Sequence, residues 1–258
     1  MPERTSYAPG TPSWVDIGTD VDAAIPFYTG LFGWEADGGS EEMGGYGFFR
    51  LNGKVVGGFG PAQNPGPPVW STYITVADVE ASSEQVTAAG GTVVVPAMDV
   101  MAAGRMAVCQ DAQGGFFSLW QAGETAGSEV VNEPGALCWN ELNSRDIAGS
   151  VAFYGTVFGW TADTHDMPES PMGSYTEFAL DGETIAGMLP MPPMVPAQVP
   201  TFWLVYFAVE DCDASLAKAQ ELGGTVVVPP MDVPAGRFSV VADPQGGTFG
   251  IIKLSGEM

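Results

Sequence analysis

The chain has 258 residues, of which 31 are acidic and 8 basic, for a net charge of −23. Only 15% of it is charged and 45% is apolar, a globular balance and not that of a disordered polyanion. The charge excludes a binder of phosphate backbones and argues against docking on anionic lipid, while 35 Gly and 21 Pro exclude a helical bundle.

The first elements follow from spacing. Trp14 to Thr19 reads as a strand, and Val21 to Leu31 as a helix with Ile25, Tyr28 and Leu31 on one side. Gly30 and Gly33 close that helix, and Trp34 begins the next extended piece. Two more strands, about 45–51 and about 54–60, meet at Asn52-Gly53, a strong hairpin signal. Pro61 to Pro68 is a connector too poor in backbone donors for a central strand. The order then recurs: strand 70–76, helix 79–89, and three strands ending at Trp120.

The same succession returns in the second half of the chain. Phe27-Tyr28-Thr29-Gly30-Leu31-Phe32-Gly33-Trp34 reappears as Phe153-Tyr154-Gly155-Thr156-Val157-Phe158-Gly159-Trp160. Gly90 to Val100 returns as Gly223 to Val233 with one change, Pro230 for Ala97, and Asp111-Ala112-Gln113-Gly114-Gly115 returns as Asp243-Pro244-Gln245-Gly246-Gly247. The offset drifts from 125 (Trp14 to Trp139) to 132–133, so the copies differ by loop insertions. Two repeats result, 12–122 and 136–256, joined by Gly123 to Gly135. Each divides into two modules, about 12–61 and 69–122, then about 136–190 and 200–256. The class is α+β, with β-α-β-β-β four times over. Pro190 to Pro200 is the second Pro-rich connector, and Met188 and Met194 are candidate pliable walls of a cavity.

Cys109, Cys138 and Cys212, odd in number and widely spaced, form neither a disulfide framework nor a metal knuckle. The opening Met-Pro-Glu-Arg-Thr-Ser-Tyr lacks an apolar leader, and the longest apolar run, Thr201 to Val209, is short of the ~18 residues a membrane span needs. A cytoplasmic monomer or homodimer is expected. Three lysines beside abundant Ala, Gly and Asp suggest a high-GC bacterial source of actinobacterial type.

The four modules, with Asp20 followed by Phe27, Tyr28, Phe32, Gly33 and Trp34, and Asp146 followed by Phe153, Tyr154, Phe158, Gly159 and Trp160, resemble one family. It is the glyoxalase / bleomycin-resistance / extradiol-dioxygenase superfamily, also called vicinal oxygen chelate proteins. The resemblance spans nearly the whole chain and implies a tandem glyoxalase fold. It also implies His, Gln or Glu ligands for a divalent metal on the first and last strands of modules. The matching positions here hold Trp14 (or Ser13 without a gap), Ser71 and Ser118, then Trp139, Leu204 and Gly250. No set of three hard or imidazole ligands survives there, so neither metal nor other cofactor is expected. The single histidine, His165, falls in the acidic stretch Asp163 to Met167, either a ligand or base or a solvated loop residue.

Side chains alternate along strands, so the ligand positions fix one cavity-facing set. If Trp14 and Trp139 face inward, so do Asp16 and Glu141, the candidate acid–base groups. Tyr46, Phe48 and Arg50 line the first cavity with Ser71, Tyr73, Phe116, Ser118 and Trp120. Tyr175, Glu177, Leu204 and Tyr206 line the second. Such rings suit a planar ligand; alternatively they fill each half-barrel, with Arg105 or Arg237 as partner to a carboxylate. The expected function is a metal-free binder of an apolar, aromatic small molecule, in secondary metabolism or antibiotic sequestration. The alternative is an enzyme of the same fold: a cofactor-free acid–base catalyst, a hydroxylase or lyase, or a degenerate lactoylglutathione lyase.

Overall fold

A computed structural model describes residues 3–63, 65–167, 173–192 and 195–256, without the side chain of Glu42. In the first repeat, β1 (Pro12–Thr19), α1 (Val21–Phe32), β2 (Glu35–Gly38), β3 (Gly47–Leu51) and β4 (Lys54–Pro61) form one module. β5 (Val69–Thr75), α2 (Val79–Ala88), β6 (Thr92–Val100), β7 (Gly104–Gln110) and β8 (Phe116–Ala122) form the next. The second repeat runs β9 (Leu137–Ser144), α3 (Ile147–Phe158), β10 (Thr161–Met167), β11 (Gly173–Leu180) and β12 (Glu183–Pro190). It ends with β13 (Phe202–Ala208), α4 (Cys212–Glu221), β14 (Thr225–Val233), β15 (Gly236–Ala242) and β16 (Thr248–Leu254). The βαβββ order thus appears four times.

Local chemistry accounts for the joints. Asn52 and Gly53 both take positive φ (52° and 78°), as do Asp181 and Gly182 (52° and 86°), the geometry that lets a two-residue turn follow the strand twist. Asp78, Asp146 and Asp211 each accept a backbone N–H of the first helical turn. Asp20 makes no such cap; Gln245 of the other repeat instead bonds its backbone N–H and carbonyl.

Adjacent modules pair within one sheet. The first has strand order β2-β3-β4-β1-β5-β8-β7-β6, the second β10-β11-β12-β9-β13-β16-β15-β14. β1 runs antiparallel to β5 and parallel to β4, and β9 stands likewise to β13 and β12. One face of each sheet carries its helices, and these meet across the repeats. Val15, Ile17, Phe27 and Tyr28 share one core with Phe207, Leu216, Val241 and Phe249. Val79, Val86 and Phe117 share another with Phe153, Tyr154 and Trp203.

The residues that carried the family resemblance sit on this seam. The Tyr28 hydroxyl donates to Asp243 Oδ2 (2.9 Å) and accepts from Trp70 Nε1 (3.0 Å). Tyr154 does the same with Asp111 (2.8 Å) and Trp203 (2.9 Å). Met188 is fully buried in the second core and walls no cavity; Met194 lies outside the described residues. The three cysteines are free and buried, and no described helix is long and apolar enough to cross a membrane.

Candidate functional site

The face of each sheet turned away from the helices holds a buried carboxylate in a cage of hydroxyls. On β1, Val15 and Ile17 enter the helix-side core, so Trp14 and Asp16 point the other way. Asp16 Oδ2 accepts from the hydroxyls of Tyr73 (2.8 Å) and Tyr46 (3.0 Å), and Ser71 stands opposite it on β5. Trp14 Nε1 donates to the Tyr46 oxygen (3.2 Å). Burial pushes the Asp16 carboxyl up to about 6, against the pull of those hydroxyls.

The second repeat rebuilds the arrangement with a longer acid. Glu141 Oε1 accepts from Tyr206 (2.9 Å), Tyr175 faces the carboxyl, and Trp139 Nε1 donates to the Tyr175 oxygen (2.8 Å). Burial pushes Glu141 up to about 7. Each carboxylate faces a glycine on the parallel neighbour, Gly58 for Asp16 and Gly187 for Glu141. A Cβ on either would overlap the tyrosine hydroxyl, so these glycines let the phenols cross the sheet face to the acid.

The remaining predicted residues fall into two groups. Trp14, Tyr73 and Trp120 form one buried apolar cluster, with Phe48, Val55 and Met106 against it. Ser118 pairs with Tyr73 in the register of β5 and β8. Trp139 and Tyr206 pack with Leu204, Phe238 and Ile252 in the second repeat. At the margins, Arg50 is engaged by Asp37 (3.1 Å) and the Gly53 carbonyl, and Phe116 is 50% exposed. Glu177 lies 3.5 Å from His165, which is 3.7 Å from Asp163. His165 is on the edge strand β10, opposite Tyr175, and not in a loop, because the acidic stretch pairs with β11 along its length.

Arginine does not balance the buried acids. Arg105 is held by Glu80 and Asp99, and Arg237 by Asp213 and Asp232, all exposed pairs. Two signals went unread in the sequence: Tyr46 as a direct partner of Asp16, and the need for Gly58 and Gly187. A groove of about 460 Å³ beside α2, lined by Ser83, Glu84, Thr87, Ala88 and Val93, has one carboxylate and lies away from both cages.

A metal of the kind the family's enzymes hold does not suit these donors. Among the described residues no group of three His, Cys, Asp or Glu stands together. Asp16 and Glu141 are single acids whose lone pairs already accept phenol protons.

The family model described as "Glyoxalase/Bleomycin resistance protein/Dioxygenase superfamily" matches residues 17–119 and 136–251. CFP32 of Mycobacterium tuberculosis, provisionally named a glyoxylase, is 43% identical, covering 98% of each chain. The anthracycline biosynthesis protein DnrV of Streptomyces peucetius is 38% identical over 97% of this chain and 95% of its own. Among solved structures, the Mn(II)-bound glyoxalase from Novosphingobium aromaticivorans aligns with a TM-score of 0.63 at 18% identity, covering 97% of this chain and 86% of that one. The 2,2',3-trihydroxybiphenyl 1,2-dioxygenase from Sphingomonas wittichii strain RW1 aligns at 0.65 and 15%, covering 97% and 93%. At those identities the likeness is one of fold.

Proposed function

The chain belongs to the glyoxalase/bleomycin resistance protein/dioxygenase superfamily, and from that premise we propose that it binds an apolar, aromatic small molecule on its caged sheet faces without a metal. One observation carries this. Where the family places a metal ligand, each repeat has a tryptophan whose indole N–H is tied to a tyrosine facing the buried acid. The position therefore offers a ring held in place, with one titratable group behind it, which is how a stacking site for a planar ligand is built. The anthracycline biosynthesis relatives support a place in secondary metabolism.

Titration with aromatic polyketides and quinones, followed by tryptophan fluorescence, tests it. Quenching that saturates, with Trp120→Ala weakening it several-fold, supports stacking. A panel that leaves both fluorescence and melting temperature unchanged rejects it.

A second reading is acid–base catalysis, favoured by Glu141, whose carboxyl is pushed to about 7, where a general acid or base works best at neutral pH. Glu141→Gln keeps an acceptor for Tyr206 but not the proton. Turnover lowered ~10²-fold or more with binding intact would mark Glu141 as the base, with Asp16→Asn the matching test in the first repeat.

A further inference from the structure

One of the positions at which the two cages differ, on the same strand face as the buried acid, carries a polar group. Asn143 follows Glu141 by two residues on β9 and is 6% exposed. Its Nδ2 is the one buried side-chain N or O atom among the described residues with no hydrogen-bond partner. Side chains two apart on a strand share a face, about 6.5–7 Å from each other along the chain. Across the sheet Asn143 pairs with Phe202, which in turn shares its face with Leu204 and Tyr206 of the cage. Asn140, on the other face, accepts from the Thr72 hydroxyl through its Oδ1 at 2.8 Å. In the first repeat, the offset of 125 that relates Trp14 to Trp139 and Asp16 to Glu141 relates Gly18 to Asn143, so that cage has no such donor.

We infer that the second repeat is the specificity-determining site, and that Asn143 Nδ2 donates to a neutral carbonyl or quinone oxygen of the ligand. This rests on the stacking function proposed above and names the chemistry that it requires. A buried amide N–H without a partner destabilises the free protein, and an acceptor that arrives with the ligand removes that cost. The electrostatics select a neutral acceptor over a carboxylate. Glu141 stands beside the amide, and Glu177 lies beyond Tyr175. The nearest arginine in sequence, Arg145, is engaged by the carbonyls of Val195, Pro196 and Val199. The chain as a whole carries −23. With the ring against Trp139 and Phe202, a carbonyl at Asn143 leaves a second polar group of the ligand, such as a phenol, within reach of Glu141.

The test uses the full chain and two probes of one shape, 2-acetylnaphthalene and 2-ethylnaphthalene, with affinity read from tryptophan quenching. The parent should bind the ketone about fivefold to tenfold more tightly than the hydrocarbon, the range of one neutral hydrogen bond. Asn143→Leu should erase that preference, read as the ratio of the two affinities, and leave the melting temperature at or above the parent's. Asn143→Gly, which copies the first repeat's Gly18, should erase it too and serves if the leucine variant does not fold. Equal binding of both probes by the parent, or a preference that survives in the variant, overturns the carbonyl assignment while stacking stands. If neither probe binds, the stacking function itself has failed.

Discussion

The hydroxyl of Tyr28 lies 2.9 Å from Asp243 Oδ2, a hydrogen bond between residues 215 apart that joins the two repeats. Asp243 Oδ1 accepts the backbone N–H groups of Gln245 and Gly247, so the acid shapes its own turn and at the same time holds the other repeat's helix. Asp111 and Tyr154 make the reciprocal bond at 2.8 Å. The sequence marks of the family are thus the seam of the duplication, and the ligand faces lie on the opposite side of the sheets.

Tyr28→Phe should therefore destabilise the chain without touching either cage. The change strands a carboxylate oxygen and the Trp70 indole N–H in a core where Tyr28 is fully buried. A loss of about 2–4 kcal/mol in denaturant unfolding is expected, since a stranded charged partner adds to the cost of a neutral one. Tyr154→Phe should behave alike, and ligand affinity at saturating fold should be unchanged in both.

Gly58→Ala and Gly187→Ala probe the cages. A methyl on either would occupy the space of the Tyr46 or Tyr175 hydroxyl, so the ring must swing away and release its acid. Overpacking of this kind costs about 1–3 kcal/mol. Neutralising the freed acid, by adding Asp16→Asn to Gly58→Ala, should recover part of the loss in thermal unfolding. If the single variants melt with the parent, the tyrosines are not held against the acids.

How much of this was legible in the sequence follows from what periodicity encodes. Strand parity placed Trp14, Asp16, Tyr73, Trp139, Glu141 and Tyr206 on one face, because alternation is local and the repeat supplied two copies to align. Asn52-Gly53 and Asp181-Gly182 announced their turns through backbone chemistry alone. The partners of the acids were harder to read. Arg105 and Arg237 are drawn to nearer acids on the surface, Glu80 with Asp99 and Asp213 with Asp232. A phenol that reaches an acid 30 residues away across two strands leaves no spacing rule behind. His165 was misplaced for a related reason: a polar, acidic string reads as a loop, yet β11 recruits it as an edge strand.

Chelation provides a third measurement. With single acids already bonded to tyrosines at both cages, dialysis against a strong chelator should change ligand affinity by less than about twofold. Elemental analysis of the purified chain should find less than one Zn, Mn, Ni or Fe per repeat. One tightly held ion per repeat, with binding lost on its removal, would reject the metal-free proposal.

The buried acids also set a pH dependence whose sign can be worked out. Asp16 and Glu141 sit near about 6 and about 7 in the folded chain, above the ordinary 3.8 and 4.5. The folded state therefore keeps protons that the unfolded state has already released. Their stabilising contribution is complete below about pH 4, falls as pH rises through the folded values, and is gone above about pH 7. Each carboxyl forfeits on the order of 3 kcal/mol over that interval. The groups facing Asp16 are the hydroxyls of Tyr46, Tyr73 and Ser71. Those facing Glu141 are Tyr206 and Tyr175, with Glu177 and His165 beyond Tyr175. Repulsion among the other acids also grows with pH, so the parent alone does not isolate the effect. Comparison with the Asp16→Asn, Glu141→Gln double variant does, because both chains share that repulsion. The melting temperature of the double variant should trail the parent's most at pH 5, gain on it up to about pH 7, and keep a constant difference from there to pH 8. A difference that stays constant across the range would mean that neither acid is protonated in the folded chain, and the case for Glu141 as a proton carrier at neutral pH would go with it.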